Sequence, residues 1–285
     1  MSISKETSCL DARKREQIVP FLFVFSFLLF SCGSVMLPSG DRTGPQMTGS
    51  GFYSQAASYN WQQRDSLVVL QVLKGSLPSF LRKLVPVEVH TIDTATGERI
   101  TAVYYVMPDY LALGTDADWA RVHITPGAAQ KIADTFQCFL PTRKMVDDIY
   151  RTARVKLEPV PMYAFRDSTP TMYHHHLIIE GQRKGRKGLI AGIKKDVVIS
   201  GKAGRDGRGG RVAIYGWHRM DGKPIQPLYT GHVNWWVDYS QGIRLVYRKV
   251  KVNGRWMDYT EVLNHPVYRR LLCDEEYCDF YKYPY

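Results

Sequence analysis

Five of the eight histidines of this 285-residue chain, His174, His175, His176, His218 and His232, fall between Tyr173 and Asp238. Within that stretch the run TGHVNWWVDYSQGIRLV sets His232, Asn234, Trp236 and Asp238 two residues apart, with Val233, Trp235 and Val237 between them. On a strand the two sets occupy opposite faces, one polar and one apolar. An imidazole and a carboxylate on one face are the residue types of general acid–base chemistry. His218 ends the run VAIYGWH, just before an Asp221-Gly222 turn, and His232 opens the next run. Antiparallel pairing of the two would bring the imidazoles together. On a regular strand Asp238 lies roughly 20 Å from His232, so it would meet His218 or Asp196 from a neighbouring strand. His218, His232, Asp238 and Asp196 are therefore the candidate catalytic residues. Asp196, after Lys194 and Lys195, also reads as an exposed charge opening a strand.

Around these, Trp236, Asn234 and Tyr239 are the expected ligand contacts, since aromatic rings stack on sugars as readily as they pack. Trp235, between two valines, reads as core. The loop GKAGRDGRGGR offers Arg205 and Arg208 to an acidic ligand, although it lacks the Gly-Lys-Ser/Thr ending of a phosphate loop. If His174 to His176 form a strand, His174 and His176 share a face and could hold a metal, zinc being the natural choice. No HExxH or comparable spacing accompanies them. Cys138, near an expected helix end before Pro141, reads as a buried small hydrophobe. Cys273 and Cys278, in CDEEYC, can close a small disulfide loop.

The elements that must position these groups read as strands first. SLVVLQVL, LVPVEVHTI and RITAVYYVMPDYLALG are rich in β-branched and aromatic residues, with a hairpin expected in IDTATGERI. Two helices follow, ITPGAAQKIADTF with Thr125 as N-cap and Pro126 behind it, and LPTRKMVDDIYRTA with the same device. Strands then return in TMYHHHLIIE, LIAGIKKDVVIS, GRVAIYGWH, TGHVNWWVDYS and GIRLVYRKVKV. The last pairs with RWMDYTEVL through the type I′ signal Asn253-Gly254, and HPVYRRLL adds a short helix. The expected class is α+β, a mostly antiparallel β-sheet core with two or three helices.

At the N-terminus a basic segment precedes the apolar run PFLFVFSFLLF, which is too short to span a bilayer. Leu29 to Gly33 then resembles the lipobox of bacterial, Bacteroidetes-type lipoproteins. That resemblance implies a signal peptide over residues 1–31 and lipidation of Cys32. A Gly/Ser/Thr/Pro-rich tether over 32–60 would follow, with a single globular domain over 61–285. Removing residues 1–31 takes four basic and three acidic groups from a net charge of +11, leaving +10. Such a field favours an anionic or glycan envelope polymer, and export excludes nucleic acid as a partner. The expected location is the bacterial cell envelope, held to the membrane by the lipid on Cys32 and facing the periplasm from the outer membrane.

LPTRKMVDDIY, KKDVVIS, IYGWH, PIQPLYTGH and VDYSQGIRLV together resemble a group of uncharacterised secreted bacterial proteins. The resemblance brings no activity, and its pattern has histidine where this chain has Ile193 and Gln241. The functional expectation is a membrane-anchored hydrolase acting on peptidoglycan or a related polymer through a His/Asp site. The competing expectation is a non-catalytic lipoprotein binding glycan or an envelope partner.

Overall fold

The computed structural model describes residues 34–38 and 45–285. Residues 1–31, expected as a signal peptide, and Cys32 lie outside the described residues. Gly49–Gln55, within the stretch read as tether, forms helix α1, capped by Thr48 and anchored by buried Phe52 and Tyr53. Helix α2 (Trp61–Leu73) follows, and here the strand expected from SLVVLQVL is corrected. Asn60 and Gln63 exchange side-chain and backbone hydrogen bonds in a capping box, which starts a helix whatever β-propensity follows. The four-residue α3 (Ser79–Arg82) leads into β1 (Val85–Ile92) and β2 (Arg99–Val106), the expected antiparallel hairpin. Strands β3 (Ala112–Gly114) and β4 (Trp119–Arg121) pair locally.

Helix α4 (Pro126–Thr135) starts as expected, with Thr125 accepting from the Ala128 N–H. After β5 (Cys138–Phe139), helix α5 (Arg143–Thr152) is capped by Thr142. Beyond β6 (Val155–Lys156), the histidine triple lies on helix α6 (Thr169–Arg183), not on a strand. Ser168 accepts from the Thr171 N–H, and Pro170 fits the first turn, where no intrahelical N–H is needed.

Strands β7 (Ile190–Ala191) and β8 (Lys195–Val198), the short helix α7 (Gly201–Gly204), β9 (Arg211–His218) and β10 (Pro224–Val233) come next. The strand expected from Thr230 onward stops at Val233, and β11 (Gln241–Gly242) begins only after a turn. β12 (Val246–Tyr247), β13 (Lys249–Val252) and β14 (Arg255–Asp258) precede α8 (Tyr259–Asn264) and α9 (Arg269–Leu272). Asn253 and Gly254 both take positive φ, +44° and +84°, as a type I′ turn between β13 and β14 requires.

Two sheets organise the chain. One runs β14-β13-β2-β12-β5 with β1 on β2, and the other β10-β9-β8-β11. Pairing is antiparallel except for β6 with β7 and β8 with β11. The class is α+β as expected, but nine α-helices occur among the described residues in place of two or three. Three of them have four residues, too few for a period to register in sequence. Cys273 and Cys278 form a disulfide, and Cys138 is free and buried.

Candidate functional site

The site with reactive geometry stands at the end of β9, where α5 packs against it. Gly216 and Trp217 both have positive φ, +108° and +58°. For tryptophan this costs on the order of 1 kcal/mol or more, a strain that packing must hold in place. A Cβ on Gly216 would come within 3.1 Å of Val146 on α5, so glycine also permits the close approach.

His218 follows this kink. Its Nε2 is 2.8 Å from Oδ1 of Asp147 on α5. A carboxylate only accepts, so Nε2 carries a proton, and in the neutral ring this tautomer leaves Nδ1 the lone pair that can take one. The Tyr150 ring lies parallel to the imidazole at 4.5 Å, and its hydroxyl donates to the Arg219 carbonyl at 2.6 Å, fixing the strand end. Tyr215 donates to both Asp147 oxygens, at 2.9 and 3.1 Å. Burial and the bond to Asp147 push the Tyr215 hydroxyl well above its ordinary pKa, so it stays a neutral donor. Asp147, Tyr150 and Arg151 stand at positions i, i+3 and i+4 of α5, one helical face. With Lys156, Tyr215 and His218 they line a cavity of about 430 Å³. Lys156 lies 4.9 Å above the Tyr150 ring.

The remaining expected residues are dispersed. His232 pairs with Val212, at the far end of β9 from the His218–Pro224 pair, about 20 Å along the strand. The two imidazoles are therefore not brought together. Burial lowers the pKa of His232. Asp238 is occupied structurally: Arg166 binds one oxygen at 2.7 Å, while the Ser240 N–H and hydroxyl bind the other. Asp196 is buried, not exposed, and accepts from the Tyr110 hydroxyl at 2.8 Å, with Arg244 Nε 3.8 Å away. Burial raises its pKa to about 6.

Tyr239 is core, its hydroxyl accepting from the Met162 N–H. Trp236 is half-buried, whereas Trp235, expected in the core, is 49% exposed. The alternation fails because the chain leaves the strand before either tryptophan. Asn234 lines a different cavity. Arg205 is held by Asp279 and Arg208 by Asp206, both on the surface. His174 and His176, two apart on a helix, diverge: His174 is exposed and His176 is buried against Arg121. The metal pair is thereby lost, and among the described residues no group of three or more His, Cys, Asp or Glu gathers to hold an ion.

A buried polar network went unread in the sequence. Lys194 Nζ sits 2.8 Å from His123 Nε2 and 2.9 Å from His175 Nδ1, and donates to the Tyr239 carbonyl. Burial, then the Arg121 charge, hold its ammonium well below the ordinary pKa. Arg121 beside it binds Asp109 and Glu180. These groups cross-link α6, β4 and the loop before β8, and all but the partly exposed Glu180 are walled off from solvent. Ile193 and Gln241 are both buried. His218 was legible as a strand-end histidine. Asp147 carried no signal, because an aspartate on an amphipathic helix looks like any solvated face.

No family model, curated protein or solved structure matches the chain.

Proposed function

We propose that the protein is a membrane-anchored cell-envelope hydrolase acting on an amide, peptide or glycosidic bond of peptidoglycan or a related polymer. The observation that carries this reading is the 2.8 Å His218–Asp147 pair lining an open cavity. In this role His218 Nδ1 takes a proton from water as the oxygen attacks, and returns it to the leaving group. Asp147 holds the tautomer and stabilises the imidazolium, and Tyr215 fixes Asp147. Lys156 and Arg151 at the cavity wall meet anionic groups of the polymer. The lipobox supports the anchor, and the Cys273–Cys278 disulfide is consistent with an oxidising envelope compartment.

The test is release of fragments from purified peptidoglycan by the full chain, read by mass spectrometry, with His218→Ala and Asp147→Asn alongside. Fragments that disappear in both variants support the hydrolase and name the bond. No release by the unmodified chain would leave the second reading, a non-catalytic glycan-binding lipoprotein.

A further inference from the structure

Helix α2 is apolar on two faces, which is why its sequence resembles a strand. Val68 and Val72, one turn apart, are fully buried and pack inward. A second stripe, Gln62, Ser66, Val69, Leu70 and Leu73, follows the i, i+4, i+7, i+8, i+11 spacing and lines a cleft of about 780 Å³. The opposite walls come from Ala128 of α4, from Trp235 and from Tyr285. Leu70 is 48% and Trp235 49% exposed, so large apolar side chains face one depression in water. Large apolar side chains gathered in one concavity with a few polar groups are the usual lining of a small-molecule site. Two lysines complete the lining. Lys74 caps the end of α2 and Lys131 projects from α4, and neither has a carboxylate partner at salt-bridge distance among the described residues. The one acid of the cleft, Asp65, is engaged by the Thr125 hydroxyl and N–H.

An apolar trough walled by aliphatic and aromatic side chains, with two ammonium groups that no carboxylate neutralises among the described residues, Lys131 lying 5.4 Å above the Tyr285 ring, and a satisfied carboxylate, matches the chemistry of an anionic amphiphile. A saccharide would require a denser set of unpaired polar groups than Gln62, Ser66 and Asn234 supply. We propose that this cleft binds a free long-chain fatty acid, its acyl tail along α2 and its carboxylate met by Lys74 and Lys131. Trp61 at one end of α2 and Val69, Leu70 and Leu73 at the other supply the helix's apolar lining of the cleft, about 18 Å from first to last, with Gln62 and Ser66 between them. The site is separate from the His218 cavity. Pro224 of β10 lines that cavity and Asn234, just past the other end of β10, lines this one, roughly 30 Å along the strand.

The experiment photolabels the purified full chain with a diazirine-bearing palmitate and maps the adducts by mass spectrometry. Adducts concentrated on residues 61–74 and at Trp235, competed by palmitate, are the expected result. Lys74→Glu with Lys131→Glu should weaken palmitate competition by about fivefold or more. Because both lysines are exposed, the fold should survive, checked by circular dichroism. Leu70→Asp should abolish labelling of the cleft by both the palmitate probe and an uncharged hexadecanol analogue. Adducts scattered over the surface, labelling indifferent to the lysine variants, or competition by chitotetraose in place of palmitate would overturn the proposal. Loss of peptidoglycan release in His218→Ala leaves this labelling unchanged, so the two readings fail separately.

Discussion

At the residue scale the decisive contact is His218 Nε2 to Asp147 Oδ1 at 2.8 Å. Replacing His218 with alanine is expected to lower fragment release by about 10²–10⁴-fold, the usual worth of a positioned general base. Asp147→Asn frees the ring to adopt the other tautomer and should lower the rate without changing the circular dichroism spectrum. A rate unaffected by either change would remove His218 from the chemistry. The buried imidazoles make a separate prediction about stability. Burial holds His123 and His175 below the ordinary histidine pKa and pushes His176 down to about 3. A histidine with a depressed folded pKa contributes stability that is present above its unfolded value and lost as pH falls below about 6.5. Each loses about 1.4 kcal/mol per pH unit. Asp65 and Asp196, both raised to about 6, act oppositely: they favour the fold at low pH and lose that contribution as pH rises from about 4 to 6. Three imidazoles outweigh two carboxylates, so the thermal midpoint should fall between pH 6.5 and pH 4. A midpoint that rises on acidification would contradict the buried, neutral histidines.

At the element scale, local devices hold the site's supports in place. Thr125 caps α4 by accepting from the Ala128 N–H while donating to buried Asp65 at 2.5 Å. Thr125→Ala should destabilise the protein by about 2–4 kcal/mol, the sum of a lost cap and a lost bond to a buried carboxylate. Denaturant titration would measure it, and a loss under about 1 kcal/mol would mean that Asp65 finds another donor. The Cys273–Cys278 bridge closes a loop only five residues apart in sequence. Its chain-entropy contribution is about 2 kcal/mol, so reduction should lower the thermal midpoint without unfolding the chain at room temperature. Caps and turns of this kind were legible, because each acts within one or two turns of chain. α2 and α6 were read as strands for a definite reason: valines, leucines and histidines are ambiguous between the two periods, and the caps Asn60 and Ser168 decide for the helix.

At the scale of the whole molecule, the net charge of +10 left after removal of residues 1–31 and the lipobox ending at Cys32 belong together as a tethered, cationic, periplasm-facing protein in the proposed reading. Cys32→Ser should move the chain from the membrane to the soluble fraction on cell fractionation, and a variant that stays in the membrane would refute the lipid anchor. By itself the amino-acid sequence determined the α+β class, the hairpins at Asp93 to Glu98 and at Asn253-Gly254, and the caps of α4 and α5, and it allowed the Cys273–Cys278 bridge that the structure forms. All of these depend on neighbours a few residues away. Only the tertiary structure decided that His218 meets Asp147, 71 residues distant, while His232 stays at the far end of its strand. The same packing buried Lys194 between His123 and His175 and left Trp235 in water. Which side chain faces which across a fold is set by how sheets and helices stack, and no spacing along the chain encodes it.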